Sequence, residues 1–170
     1  MNEFEIKFLK PKDFKLYKSA RLQSLKDSPE SFGATHVQEV GLSDDDWKTR
    51  LDLESRAVDA LPLVATVYDI PVGLAWGFIH KPNLDTAHIY QMWVSPSFRG
   101  KGVAKSLIRA IEAWAIERGC AFLALAVTTS NEAAVNLYES LGFVVAGELE
   151  ELRVGSALRV QPMILELNRG

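Results

Sequence analysis

Residues 87–127 read as a strand, a glycine-containing turn, a long amphipathic helix and a second strand, and that order leaves few folds open. Ala87 to Val94 forms the first strand, stopped by Ser95-Pro96. Gly102 to Arg118 reads as a helix: Val103, Leu107, Ile111 and Trp114 fall on one stripe, with Ala104, Ile108 and Ala115 beside it. Gly119 ends that helix at the expected C-terminal position. Ala121 to Val127 is a continuous apolar run, as in a strand buried on both faces. Two strands joined by such a helix are predicted to lie parallel through a right-handed crossover.

The rest of the chain fits around this unit. Glu3 to Leu9 alternates and reads as a half-buried strand; Phe14, Tyr17, Leu22 and Leu25 sit near helical spacing after a cap at Asp13. Ser31 to Gly41 has no clean period. Ser43 caps a second helix whose first turn holds Asp44, Asp45 and Asp46, where negative charge suits the helix dipole, so this acidic run needs no metal. Leu61–Tyr68 and Val72–Ile79 read as strands turning at Asp69-Ile70-Pro71. Asn131 caps a short helix through Leu141, and residues 144–154 and 157–167 suggest a terminal hairpin around Gly155-Ser156. The expected fold class is α/β: a single domain over 1–170 with a mixed sheet flanked by helices. A chain of 170 residues can bury a core without staples, and its one cysteine, Cys120, cannot form an internal disulfide.

Charge and hydropathy narrow the partners. A net charge of −3 argues against nucleic acid as the main partner. No window reaches the length of apolar chain a membrane helix needs, and Met1 to Lys10 lacks the order of a signal peptide, so no membrane partner and a cytoplasmic setting are expected.

The chemistry lies in Val94-Ser-Pro-Ser-Phe-Arg-Gly-Lys-Gly-Val-Ala-Lys-Ser106. Gly100 and Gly102 let backbone approach a ligand closely, and amides from Gly100 to about Ala104 precede the helical ladder, so they can cradle a phosphate. An ordinary helix entry with solvated basic residues fits the composition equally well. A P-loop is disfavoured because Arg99 and Ala104 fill its glycine positions. A dinucleotide fingerprint is disfavoured because Lys105 fills its third glycine position.

Arg99, Gly102 and Ala104 instead match R-x-x-G-x-A, which resembles the acyl-CoA pyrophosphate loop of the GNAT superfamily of acetyl-CoA-dependent N-acetyltransferases. Met92-Trp-Val-Ser-Pro96 resembles that superfamily's strand end, and Asn131-Glu-Ala-Ala-Val-Asn-Leu-Tyr-Glu-Ser-Leu-Gly-Phe143 resembles its N-x-x-A-x-x-L-Y-x-x-x-G-F signature. The resemblance covers about residues 87–143 as an acyl-CoA-binding core. It sets the helices of about 11–56 on the acceptor side and leaves 144–167 as a C-terminal strand pair, a candidate homodimer contact.

The resemblance implies a splayed parallel strand pair that admits the pantetheine arm of acetyl-CoA, with no metal. Backbone groups of Met92 and Val94 would pair with the pantetheine amides. Arg99, Gly100, Lys101, Gly102, Val103 and Ala104 would hold the pyrophosphate, with Lys105 or Ser106 contributing. Asn131 would contact the cofactor arm, besides its equally good role as helix cap. Tyr138 would protonate the departing thiolate; at helical spacing with Ala134 and Leu141 it could also be plain core. The family's glutamates are missing where a base is wanted: the strand before the loop holds His88, Tyr90 and Gln91, and Ala126 stands before Val127-Thr-Thr-Ser-Asn131. His88 is the candidate base, with a water relay as the alternative. Phe32, Glu39 and Trp47 are the candidate acceptor contacts, Phe32 and Trp47 also fitting a core and Glu39 a solvated face. The implied activity is acetyl transfer from acetyl-CoA to a primary amine of a small molecule. The alternatives are a protein or peptide acetyltransferase and a catalytically silent acyl-CoA sensor.

Overall fold

The computed structural model describes residues 3–167. The strands are β1 (Glu5–Phe8), β2 (Asp59–Val67), β3 (Ile70–Ile79), β4 (Thr86–Val94), β5 (Phe122–Thr128), β6 (Val144–Val145), β7 (Glu150–Glu151) and β8 (Arg159–Glu166). The helices are α1 (Phe14–Asp27), α2 (His36–Val40), α3 (Asp44–Arg50), α4 (Leu53–Arg56), α5 (Val103–Glu117) and α6 (Glu132–Ser140). One eight-stranded sheet runs in the order β1-β2-β3-β4-β5-β8-β6, with β7 also on β8. Its β4–β5 pair is parallel, as the crossover through α5 requires.

Alternation along β2 divides the core. Leu63 and Ala65 face one layer, where Val103, Leu107, Ile111 and Trp114 of α5 cover the sheet. Val64 faces the other, where Tyr17 and Leu25 of α1 and Trp47 of α3 meet Leu74, Trp76 and Trp93. Leu107 and Ile111 are fully buried, each worth about 1.5–3 kcal/mol by removal from water. Close approach of α5 to β3 depends on Gly73 and Gly77. A Cβ on Gly73 would stand 2.8 Å from Val103 Cγ1, and one on Gly77 would stand 2.9 Å from Ile111 Cγ2.

Several boundaries differ from the sequence reading. β1 is an exposed edge strand rather than a half-buried one, with Ile6 and Phe8 facing solvent. The β2–β3 turn is Tyr68-Asp69, since Val67 pairs with Ile70 and both turn residues have positive φ, as a tight two-residue hairpin demands. Residues 31–41 contain α2, which Thr35 and Gln38 close at its N-terminus by reciprocal side-chain bonds. The apolar run of β5 is not buried on both faces: Leu123, Leu125 and Val127 are buried while Ala126 is exposed. The C-terminal hairpin is broken. Only Val144–Val145 and Glu150–Glu151 pair with β8, and the chain between them leaves the ladder.

Candidate active site

The parallel pair parts early. β4 and β5 are in register only at Thr86–Phe122, Ala87–Leu123 and His88–Ala124. β5 stays with β8 along its whole length, to Thr128 opposite Val160. β4 is bent away by a bulge: Trp76 faces Tyr90 and Leu74 faces Trp93, so Gln91 and Met92 share the space opposite Ala75. Gln91 takes φ 57°, and the buried Tyr17 hydroxyl donates to its Oε1 at 2.9 Å, which pins the bulge from α1. A cavity of about 520 Å³ opens where the strands diverge, lined by residues 89–92 of β4 and 125–128 of β5. Ala126 is exposed because it faces this opening.

A second cavity of about 660 Å³ continues from the first and reaches the turn before α5. Met92, Val94, Arg99, Gly100, Gly102, Val103, Ala104, Lys105 and Asn131 line it. The first bond of the helical ladder runs from the Ser106 N–H to the Gly102 carbonyl at 3.0 Å, so the amides before it are the helix's surplus donors. Gly100 and Gly102 have φ 76° and 85°, and a Cβ on either would meet nothing within 4 Å. The turn is therefore open toward the cavity rather than plugged by side chains. Of the expected loop residues, Lys101 lies outside the lining with its Nζ 5.2 Å over the Phe98 ring, and Ser106 also lies outside it. The Arg99 side chain is turned back: Nε donates to the Val94 carbonyl at 3.0 Å, and Nη2 donates to Asp27 Oδ2 at 2.7 Å. Asp27 also accepts from Trp93 Nε1 at 3.0 Å. Burial raises the Asp27 carboxyl pKa, but bonds from Trp93, Ser28 and Arg99 outweigh it and hold the group below its ordinary range. Arg99 thus ties the turn to the end of α1, and the cavity keeps the loop's backbone.

Tyr138 stands where the two cavities meet and lines both. It is buried, packs edge-on against Phe143, and its hydroxyl has no protein partner among the described residues. Burial pushes its phenol up to about 12. The site thus holds a neutral hydroxyl that can donate a proton or hydrogen bond to an acceptor entering from either side. Asn131 lines both cavities and caps α6 by accepting from the Ala134 N–H at 3.2 Å, so cap and lining coincide.

The acceptor-side residues separate. Phe32 lines both cavities. Trp47 is fully buried under α1 and lines none of the described cavities. Glu39 is buried and committed to two arginines: Arg21 donates to it through Nε and Nη2 at 3.0 and 3.1 Å, and Arg50 through Nη1 at 2.8 Å. Burial raises the Glu39 pKa, yet Arg21 and then Arg50 overcome this and lower it. A carboxylate so neutralised is not available to receive an amine. His88 does not reach the described cavities. It sits at the last position where β4 pairs with β5, its ring 5.4 Å from His80 and stacked on Tyr90, and burial followed by the nearby His80 lowers its pKa.

Glu150 and Arg153 are additions that pattern reading missed. Glu150 lines the splay cavity. It lies opposite Val160, a buried lining residue, and cross-strand partners share a face. Its neighbour Glu151 lines the same cavity but faces Arg159 and pairs with that guanidinium at 3.5 Å. Arg153 donates to the carbonyls of Pro29, Phe32 and Gly33, clamping the segment after α1 over the same cavity. Glu150 is legible only from the β7–β8 register, which a two-residue strand does not announce.

A strand pair that parts beside an open amide turn is matched by family. The family model described as "Acetyltransferase (GNAT) family" matches residues 22–143. The chain belongs to the GNAT acetyltransferase family. Among curated relatives, streptothricin acetyltransferase of Escherichia coli is 43% identical over 63 residues, or 37% of this chain and 36% of that protein. The chain spans about a third of the length of the curated relatives it matches. Over nearly the whole chain the fold is that of solved GNAT structures. An acetyltransferase of the family from Streptococcus pneumoniae superposes with TM-score 0.79 at 20% identity, covering 97% of this chain and 99% of that one. The spermidine N-acetyltransferase of Vibrio cholerae, solved with CoA and spermine, superposes with TM-score 0.76 at 20% identity over 96% and 95%. No helix among the described residues is long and apolar enough to cross a membrane.

Proposed function

We propose that this GNAT protein transfers an acetyl group from acetyl-CoA to the primary amine of a small molecule, without a metal. One observation supports the reading: Tyr138 lines both the cavity that begins on the open turn and the cavity between the splayed strands. The residues present fit the donor. Gly100, Gly102, Val103 and Ala104 line the cavity ahead of the helical ladder, where surplus amides can bind a diphosphate, and Met92 and Asn131 line the same cavity as Tyr138. Bound acetyl-CoA supplies a thioester carbon for the amine nitrogen to attack, the C–S bond breaking as the N–C bond forms. Tyr138 donates to the departing sulfur. Glu150 holds the incoming ammonium group and takes the proton released from nitrogen, a task for which neither Glu39 nor His88 is placed. The reading sets the enzyme in the cytoplasm, where the chain's single cysteine is kept as a thiol.

A panel of small amines with acetyl-CoA, read by thiol release, tests this. Amine-dependent release is expected. A protein that binds CoA and releases no thiol with any amine would leave only the sensor role. Within an active enzyme, Glu150→Gln is expected to lower kcat about 10²-fold with CoA affinity by calorimetry unchanged. Glu151→Gln, at a second lining carboxylate that is already paired with Arg159, stays within about twofold. Equal effects of the two substitutions would remove Glu150 from the mechanism.

A further inference from the structure

A third cavity, of about 320 Å³, adjoins the splay on the far side of Tyr90 and Gln91, which line both. Its walls are unlike those of its neighbours. Tyr17, Trp76, Phe78 and Tyr90 supply ring faces, and Arg50 and Arg56 supply charge; no carboxylate lines it. The wider charge balance has the same sign. Behind Arg50 lies Glu39, a single carboxylate shared between Arg50 and the buried Arg21, so two guanidiniums meet one negative group. Arg21 Nη1 is buried with no hydrogen-bond partner, and the Arg21–Glu39–Arg50 group behind this wall keeps a net positive charge. Arg56 is exposed and donates from Nη1 to the Arg50 backbone carbonyl, which anchors a second guanidinium on the same cavity wall. Arg50 is answered by Glu39, whereas Arg56 pairs with no carboxylate among the described residues, and a guanidinium so placed is suited to an anion. At the other end of the path the splay is lined by Glu150 and Glu151 together with Arg21, whose guanidinium is held by Glu39.

We infer that the acceptor carries a carboxylate as well as its amine, the carboxylate seated against Arg50 and Arg56 and the amine reaching past Tyr90 and Gln91 to the splay. This deepens the acetyl-transfer reading and rests on it. The chemical class is a small amino carboxylate with an apolar or aromatic body, matched to the ring-lined walls. A polyamine or other purely cationic acceptor would face the unpaired Arg56 guanidinium there. His80, whose Nε2 lies 2.8 Å from the Tyr90 hydroxyl, adds no negative charge to the box.

The test uses matched pairs that differ by one carboxylate: phenylalanine with phenethylamine, tryptophan with tryptamine, and 5-aminopentanoate with butylamine. Spermidine serves as the polycation. Each compound is measured twice on the full chain, by calorimetry in the presence of CoA and by thiol release with acetyl-CoA. In at least one pair the carboxylated member is expected to exceed its partner about tenfold or more in affinity and in kcat/KM. Arg56→Gln is expected to collapse that ratio, and Arg56→Lys, which keeps the charge, to preserve most of it. A preference for spermidine, equal use of both members of every pair, binding of none, or a ratio that survives Arg56→Gln overturns the inference. Carboxylate binding that Arg56→Gln abolishes, without turnover of any compound, would sustain the anion site and overturn acetyl transfer instead. Turnover without carboxylate preference would do the reverse.

Discussion

Tyr138→Phe is expected to lower kcat by about 10²–10⁴ while leaving acetyl-CoA affinity nearly unchanged. The substitution removes one oxygen and keeps the ring that packs on Phe143, so the wall of the cavity survives. What disappears is the donor to the leaving sulfur. The phenol at about 12 lies well above an ordinary thiol near 8.5, so complete proton transfer from it runs uphill by about 5 kcal/mol. Its contribution therefore comes as a hydrogen bond to charge developing on sulfur. The sign of the pH effect follows. A raised phenol stays protonated through neutral and mildly alkaline pH, so the wild-type rate should show no loss from this group between pH 7 and about 10, where an ordinary tyrosine begins to ionise. Rates of both proteins across that range, with CoA binding by calorimetry, check the prediction. A Phe variant at full rate would remove Tyr138 from the chemistry.

Gly102→Val is expected to weaken CoA binding about 10–100-fold without unfolding the domain. No neighbour obstructs a side chain at this position. The obstacle is the backbone, held at φ 85°, where a β-branched residue costs of order 1–3 kcal/mol. A relaxed turn would re-aim the amides that precede α5, and a retained turn would place the valine methyls in the open space those amides face. Both routes remove the anion cradle. Position 102 is exposed and lies at the helix entry, outside the core under α5. A loss of about 1–3 kcal/mol corresponds to a drop in melting temperature of only about 2–12 °C for a domain of this size. Titration with CoA, alongside a melting curve, separates the two effects. Wild-type affinity in the variant would contradict a backbone cradle at this turn.

The turn and α6 were legible because each carries its chemistry in one short segment. Gly100, Gly102 and Ala104 announce an exposed helix entry, and Asn131 to Gly142 announces a capped helix that bears Tyr138. The acceptor side was not legible, since its character depends on partners far apart in sequence. Glu39 reads as a carboxylate ready for an amine until Arg21 and Arg50, 18 and 11 residues away, are found on it. Arg99 reads as a phosphate ligand until Asp27, 72 residues earlier, takes its guanidinium. Gln91 gives no local sign of a bulge, because a positive φ at a non-glycine residue is imposed by the ladder with β3 and by Tyr17 rather than by its own preference. Ala126 looked buried for a related reason: an apolar run shows that a strand is central, but not where its neighbour leaves it.

A crystal structure of the protein with CoA bound measures the distance between the CoA sulfur and the Tyr138 hydroxyl. The diphosphate should lie on the backbone amides between Gly100 and Ala104, the pantetheine arm should pass between β4 and β5, and the sulfur should come within about 3.5 Å of the phenol oxygen. A diphosphate bound elsewhere, or a sulfur that ends far from Tyr138, would contradict the site described for this chain.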